Sequence, residues 1–512
     1  MERGLDAVTA TKDAVNGMTT RLNNTAGAIT LSKDGVIGIH FSSNRMAWAY
    51  VKNDQVFFGI DQDKYFNWMY AVAPCFPMNS LKIDIINDPR KFYDTLCERF
   101  RSAKRRITIA SLYIGTGNFE KRLLEDTQQN VLRNKNLQLN ILLDYQRGTR
   151  GEVNSVTLLK DFLNEASDQC KVSLYQTPRL HGSWSKVLPS RYNEIVGLQH
   201  MKLYIADNSV LVSGANCSND YFGQRQDRYI EIHDADLANF YSELIGMMAV
   251  SFYTFYKTCV KGEIQSKKYE HKELMVKEMN KKITALIERW KEQQIAKLSS
   301  LKDTNDTWVF PLIQMGEFSI TQDEQVTMHL LSSAPKGSYI RLATGYFNLT
   351  DNYAKTLLKE CRANISLLMA HPNANGFLGA RGPAGGIPNA YSLIARQFWQ
   401  RVADSNQASR VQMLEYERPG WTFHAKGLWY YPPGSGVPWA TIVGSANLGE
   451  RSVRRDLEAQ AAIFTASPDL QARLHQESLK LHEHATECTE ALRSRDTPLW
   501  VRATVGLFRT YF

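Results

Sequence analysis

No apolar run in this chain is long enough to cross a bilayer. The longest candidate, Leu244 to Tyr256, is too short and carries Met, Phe and Tyr, as a buried helix does. No signal-peptide apolar core stands near the N-terminus. The seven cysteines (Cys75, Cys97, Cys170, Cys217, Cys259, Cys361 and Cys488) have no paired short spacings, which excludes a zinc-finger pattern and a disulfide framework. They read as reduced, mostly buried thiols outside the secretory route. No convincing Asp/Glu cluster for a metal ion is visible, so no metal or other cofactor is expected. Charge of one sign is also limited. The net charge of +9 suits an anionic partner (nucleic acid, phospholipid surface or nucleotide) without choosing among them. Residues 1–45 are slightly basic, which fits a weak organelle-targeting segment, and Glu2, Asp6, Asp13 and Asp34 count against a strong one.

What the chain does have is size and repetition. Its 512 residues call for more than one domain or a duplicated large one. His200-Met201-Lys202-Leu203-Tyr204-Ile205-Ala206-Asp207 is matched, 224 residues on, by His424-Ala425-Lys426-Gly427-Leu428-Trp429. Each is followed by a small-residue loop, Ser213-Gly214-Ala215-Asn216 and Gly444-Ser445-Ala446-Asn447. The context repeats too. Strands are expected at Arg106 to Ile114 and Ser338 to Tyr346, each followed by a helix, from Asn118 to Glu125 and from Thr350 or Asp351 to Glu360. Further strands are expected at Leu137 to Leu143 and Ile365 to Ala370, then at Lys171 to Tyr175 and Val411 to Tyr416. The His-x-Lys strands come next, and then Val210 to Ser213 and Thr441 to Gly444. The expected class is α/β: two duplicated lobes, each a mostly parallel sheet covered by helices, sharing one cleft beyond the strand ends. The divisions are residues 1–79 (N-terminal, of targeting or membrane-associating character), 80–256 (first lobe), 257–305 (charged helical linker) and 306–512 (second lobe with C-terminal helices). In the linker, Leu274, Met279, Ile283, Leu286, Ile287 and Trp290 recur at helical spacing among Lys and Glu.

Two imidazoles and two ammonium groups can run a phosphodiester exchange. A neutral imidazole attacks phosphorus, a protonated one protonates the leaving oxygen, and Lys202, Lys426 and the amides of Asn216 and Asn447 stabilise developing charge. Each imidazole needs an acceptor on its other nitrogen. Eleven residues beyond Asn216 stands Asp227, and eleven beyond Asn447 stands Glu458, so these two carboxylates are assigned the orienting role. Arg147 and Arg150 lie in a loop after a strand where a phosphate can bind, and His181, Lys186 and Arg191 form a basic stretch before the first motif. His371, at a strand end opposite Asp144, reads as structural.

The doubled motif resembles that of the phospholipase D superfamily, whose mark is a repeated His-x-Lys-x4-Asp. Within it the chain is similar to the eukaryotic-type phosphatidylglycerophosphate synthases. The resemblance rests on Pro74-Cys75-Phe76-Pro77, Ile109 to Gly117, Leu142 to Arg150, Gly197 to Tyr204, Ser213 to Phe222, Arg225 to Tyr229 and Gly420 to Trp429. One departure stands out: the Asp expected seven residues after His424 is Tyr431, before the loop Pro432 to Pro438. Asp207 is then a structural support of its motif. The resemblance implies two phospholipase D-like lobes, with CDP-diacylglycerol and sn-glycerol 3-phosphate as substrates and a phosphatidyl-histidine intermediate. It implies His200 as nucleophile, His424 as general acid, and substrate contacts at Ser213 and Ser445. It also implies a peripheral protein of the mitochondrial inner membrane, on an anionic surface, with no nucleic-acid partner. The rival readings are a phospholipase D-type phosphodiesterase, acting on phospholipid or nucleic acid, and a lipid-binding scaffold with a worn site.

Overall fold

The computed structural model describes residues 5–43, 48–52, 55–59, 66–166, 168–180, 196–250, 256–260, 263–266, 272–298 and 304–511. It comprises two compact units, Met1–Cys75 with Glu288–Leu301, and Phe76–Ile287 with Lys302–Phe512. In the first, Asp6 caps a helix, Ala7–Leu22, by accepting the amides of Val8 and Thr9. That helix packs on a hairpin of Gly27–Leu31 and Ile37–Phe41, and a second hairpin joins Trp48–Lys52 to Gln55–Gly59.

The second unit holds the duplicated plan. Eight strands of its first sheet are β1 (Ile83–Ile86), β2 (Arg106–Ala110), β3 (Gln138–Asp144), β4 (Cys170–Tyr175), β5 (Leu203–Ala206), β6 (Ser209–Ser213), β7 (Tyr229–His233) and β8 (Tyr256–Val260). The second eight are β9 (Thr307–Met315), β10 (Tyr339–Thr344), β11 (Asn364–Ala370), β12 (Val411–Tyr416), β13 (Gly427–Tyr431), β14 (Ala440–Gly444), β15 (Glu458–Thr465) and β16 (Ala485–Glu487). The sheets run β8-β4-β3-β2-β5-β6-β7-β1 and β16-β12-β11-β10-β13-β14-β15-β9, so each strand of one has its counterpart eight labels on. The expected strands from β2 to β6 and from β10 to β14 all form, with shifted ends. The helix after β2 runs Asn118–Arg133, longer than expected, and Thr350 caps the one after β10.

The class is α/β as expected, but the sheets are mixed rather than mostly parallel. Only β2 with β3, β3 with β4, β10 with β11 and β11 with β12 pair in parallel; the remaining neighbours in the two orders pair antiparallel. The reason is connection length. The helical crossovers over residues 111–169 join parallel strands, whereas β5 and β6 are joined by Asp207 and Asn208 alone, and two residues can link only antiparallel neighbours.

Two further expectations need correction. The linker is not helical throughout: β8 and a strand at Glu263–Ser266 extend the first sheet from β4, giving its edge groups partners. The helix runs Lys272–Leu298, and it is Met275, not Leu274, that joins Met279 and Ile283 in the buried stripe, while Leu274 is exposed. Lys267, Lys268 and Glu270 lie outside the described residues. Among the described cysteines six are free, five of them buried.

Asp207 has the structural place expected of it. It takes a left-handed turn conformation (φ +48°), and its carboxylate accepts the amides of Lys104 (2.9 Å), Arg105 (2.8 Å) and Arg106 (3.2 Å) at the start of β2. Partial burial would raise its pKa, but the three amides outweigh that and hold it below the ordinary value. In the second lobe Tyr431 closes β13, and residues 432–439 replace the tight turn; the Tyr431 hydroxyl meets His475 Nδ1 at 3.2 Å. Asp207→Ala should lower stability by about 1–3 kcal/mol in urea unfolding at neutral pH. Because the folded pKa is depressed, the difference should shrink as pH falls through the folded value. An unchanged unfolding midpoint would remove Asp207 from the scaffold.

Candidate active site

The histidines do not sit within the strands of their own sheets. Both His-x-Lys segments lie just ahead of β5 and β13, where the backbone crosses to the other lobe. Gln199 pairs in parallel with Leu457, the His200 amide donates to the Leu457 carbonyl (2.9 Å), and the Leu457 amide donates to Leu198 (2.8 Å). In the mirror arrangement Arg225 and Gln226 pair in parallel with Thr422 and Phe423. There the His424 amide donates to Gln226 (2.8 Å) and the Thr422 amide to Gln224 (2.9 Å). Each histidine is thereby set beside the segment that carries the other half's carboxylate. His200 Nδ1 lies 2.9 and 3.0 Å from the Glu458 oxygens, and His424 Nδ1 lies 2.7 Å from Asp227 Oδ2. Ser452 donates to Glu458 Oε1 (2.8 Å) and fixes that carboxylate. Glycine is needed at two approaches: a side chain on Gly214 would crowd the Asp227 carboxylate, and one on Gly345 would press the His424 backbone.

Lys202 and Lys426 are fully buried and donate to the carbonyls of His200 (2.7 Å) and His424 (2.9 Å). Burial disfavours charge on every member of the cluster. It pushes both imidazoles well below the ordinary histidine value, with the neighbouring lysine of each adding to the push. It lowers Lys202 strongly and Lys426 to about 8, with carboxylates opposing. It raises Asp227 to about 6 and raises Glu458, with lysines opposing.

The two imidazoles differ in their second nitrogen. His200 Nε2 has no hydrogen-bond partner among the described residues, and its side chain is 13% exposed. The His424 side chain is 4% exposed, and its Nε2 lies 3.3 Å from the Tyr221 hydroxyl and 3.0 Å from Lys426 Nζ. Tyr221 and Tyr346 meet its ring edge to face at 5.1 and 5.5 Å. Burial raises the Tyr346 pKa while the positive charges of Arg225, Arg147 and Arg451 oppose. Arg147 lies over the Tyr113 ring (4.8 Å), and Arg225 over Tyr221 (4.7 Å).

Of the expected residues, His200, Lys202, Asp227, His424, Lys426 and Glu458 are brought together. Thr344 donates to Asn447 Oδ1 (3.0 Å), which turns the amide nitrogen the other way; Asn216 Oδ1 is buried without a partner among the described residues. Ser213 and Ser445 are buried, their hydroxyls donating to the carbonyls of Arg228 (2.6 Å) and Ala459 (3.3 Å), and the Ser445 hydroxyl also meets the Glu458 carboxylate. Arg147 is drawn toward the site, and Arg150 lies in the next turn with its amide 3.5 Å from the Arg147 carbonyl. His181, Lys186 and Arg191 lie outside the described residues. His371 is bonded within its own strand end, accepting the Asn373 amide (3.2 Å) and facing Glu417 (3.3 Å).

Several site residues gave no decisive signal in the sequence. Tyr221 and Arg225 stood inside recognised blocks without an assigned role, and Tyr346 and Ser452 lacked even that. Arg228, one residue past Asp227, is fully buried and reaches across to Glu477 (2.8 and 2.9 Å), Thr441 (2.7 Å) and the Ile442 carbonyl (2.8 Å), stacked 3.8 Å over Trp429. Gly427 (φ +118°) leaves room for that guanidinium. Two groups bring together possible metal donors, His200 with Asp456 and Glu458, and Asp84 with Glu231 and His233. Their carboxylates are already engaged, Asp456 by the Leu198 amide (3.0 Å) and Glu231 by Arg99 (2.6 Å).

The chain is 41% identical, over 87% of its length and 86% of the relative's, to the human mitochondrial CDP-diacylglycerol–glycerol-3-phosphate 3-phosphatidyltransferase. It is 32% identical to the Saccharomyces cerevisiae CDP-diacylglycerol–glycerol-3-phosphate 3-phosphatidyltransferase over 81% of this chain and 84% of that one. The chain belongs to this phosphatidyltransferase family. The crystal structure of Haemophilus influenzae phosphatidylserine synthase shares its fold, with a TM-score of 0.65 at 20% identity, over 85% of this chain and 95% of that one. A separate family model, described as Asparaginase, matches residues 1–59 alone, away from the histidines.

The crosswise arrangement makes Arg228 a clamp between the lobes. Arg228→Met should destabilise by about 3–5 kcal/mol, since it leaves Glu477 buried without its partner. Adding Glu477→Leu should recover part of that loss in thermal or urea unfolding. If the double variant is no more stable than the single one, the pair is not the source of the effect.

Proposed function

We propose that this chain transfers the phosphatidyl group of CDP-diacylglycerol to sn-glycerol 3-phosphate, giving phosphatidylglycerophosphate and CMP. Its relatives are named for these substrates, and several are named mitochondrial. No helix among the described residues is long and apolar enough to cross a membrane. The proposal therefore includes peripheral placement on the mitochondrial inner membrane. The observation that carries the chemistry is the inequality of two histidines sharing one buried cluster. His200 donates its Nδ1 proton to Glu458 and leaves the Nε2 lone pair open, which makes it the nucleophile. His424 has its Nε2 already in a hydrogen-bonding environment and serves as acid, then base.

In the first step His200 Nε2 bonds to the phosphatidyl phosphorus while the bond from that phosphorus to the CMP oxygen breaks. His424 delivers a proton to the departing CMP. The resting imidazoles are neutral because two lysines flank them in a buried site. An incoming pyrophosphate is doubly anionic, tips that balance and favours a proton on His424. In the second step the free primary hydroxyl of glycerol 3-phosphate gives its proton to His424 as its oxygen bonds to phosphorus. The P–N bond breaks and His200 is restored. Lys202, Lys426 and the Asn216 and Asn447 amides neutralise the phosphoryl oxygens. Arg147, with Arg225 and Arg451, is the proposed seat of the acceptor's phosphate.

With EDTA present, labelled glycerol 3-phosphate should enter lipid and CMP should appear, while a labelled oligonucleotide stays intact. CMP release that never depends on the acceptor would instead mark a hydrolase. Without acceptor, labelled donor should leave its phosphatidyl group on His200. Recovery of the label on His424 reverses the two roles. His200→Ala and His424→Ala should each lose nearly all turnover, and the double variant little more, because the two act as a unit.

The pH profile follows from the same cluster. Protonating Asp227 as pH falls through about 6 removes the acceptor for His424, and Lys426 loses its charge above about 8. Turnover should peak between these limits. Asp227→Asn should lower turnover by roughly 10²-fold and flatten the acidic limb. A variant with wild-type turnover and an unchanged acidic limb would detach Asp227 from the mechanism.

A further inference from the structure

The C-terminal helix Leu499–Phe508 is apolar on both of its faces. Val501 and Val505 are buried against the fold. On the outside, Leu499 is 80% exposed, Leu507 77%, and Trp500 and Phe508 50% each. Leu499 and Trp500 stand at the start of the helix, and Leu507 and Phe508 at its end. Single exposed apolar side chains are ordinary, but four large ones on one helix already packed on its other side are not. Arg502 and Arg509 belong to the same segment, which contains no acidic residue from Leu499 to Tyr511.

This segment also reaches the rim of the site. The Arg509 carbonyl accepts from Asn348 Nδ2 (3.0 Å), and Arg455 stacks 3.8 Å over the Tyr511 ring, three residues before Glu458. Trp500 packs so closely on Gly386 that a side chain there would overlap its ring. The loop leading to Gly386 carries Leu378, which is 58% exposed, and Gly376, which adjoins the Tyr346 hydroxyl and the Arg225 guanidinium. Tyr346 in turn faces the His424 ring.

We propose that Leu499–Tyr511, with Leu378, is the surface by which this protein lies on an anionic bilayer, and that it sets the cleft at the membrane so that the diacyl donor reaches His200 with its chains still in lipid. The occupant is argued from three things together. The outer face is aliphatic and aromatic, as membrane-interface helices are. Its charges are arginines, which complement anionic headgroups. It packs on the loop that leads from Gly376, beside Tyr346, to Gly386. The proposal rests on the diacyl-lipid reading of the function, so its test must separate the two.

Wild-type protein and Leu499→Glu/Leu507→Glu are compared by co-sedimentation with vesicles of phosphatidylcholine containing about one-third phosphatidylglycerol, a strongly anionic mixture. Both are then assayed with CDP-diacylglycerol held in those vesicles and with a water-soluble dihexanoyl analogue. The variant should bind vesicles at least about tenfold more weakly and lose vesicle turnover to match, since two acidic groups replace two exposed aliphatic ones on the membrane-facing side. Turnover of the soluble donor should stay within about twofold, because the substituted side chains touch neither histidine. The single variants Leu499→Glu and Leu507→Glu should each give a partial loss, which a folding lesion would not grade in this way. Vesicle binding equal to wild type overturns the proposal. So does an equal fall with both donors. So does a shift of the wild type from dimer to monomer in the variant with vesicle binding unchanged, which would mean that a second copy covers the helix. If the wild type releases CMP from neither donor, the functional reading fails, while sedimentation still decides the membrane surface.

Discussion

Each imidazole of the doubled motif is held by a carboxylate that belongs to the other lobe. The dependence is built into the backbone: the segments before β5 and β13 leave their own sheets and form short parallel pairings across the interface. Those pairings set His200 beside Glu458 and His424 beside Asp227. A carboxylate on Nδ1 fixes the tautomer and leaves Nε2 for chemistry. One lobe by itself would hold a histidine without its orienting acid and an acid without its histidine.

The interface that permits this is unusually polar for its depth. Two lysines, two carboxylates and two imidazoles share it, and Arg228 with Glu477 adds another buried ion pair. Buried charges are tolerated when each finds a partner and further hydrogen bonds, as Ser452 supplies for Glu458 and Thr441 for Arg228. The same density of charge tunes the chemistry. Burial, with the neighbouring lysines, pushes both imidazoles well below the ordinary histidine value.

Duplication gives the frame its symmetry, and small departures give it direction. The two sheets share one strand order, yet the tight Asp207 turn has no second copy, and Tyr431 stands where its partner would be. Tyr221 and Tyr346 enclose His424, while His200 remains partly open. An exchange reaction needs this inequality, because one imidazole must offer a lone pair while the other handles the proton.

The repeated His-x-Lys pairs, the Asn loops and the carboxylates at equal offsets were legible in the chain, because repetition and strand periodicity are local properties. So were most strands, and the structural place of Asp207. The mixed sheet was less visible, because alternating strand and helix suggests parallel pairing until the two-residue turn at Asp207 and Asn208 is weighed. Which carboxylate serves which histidine lay beyond the sequence: equal spacing names Asp227 and Glu458 but is silent on exchange between lobes. The resemblance implied substrate contacts at Ser213 and Ser445, and only packing showed which carbonyls, of Arg228 and Ala459, their hydroxyls meet. Arg228 and Glu477 are 249 residues apart, and nothing local announces such a pair. The sequence determined which candidate groups are repeated; the tertiary structure decided which of them meet, because that depends on how two lobes pack, and packing is set by contacts far apart along the chain.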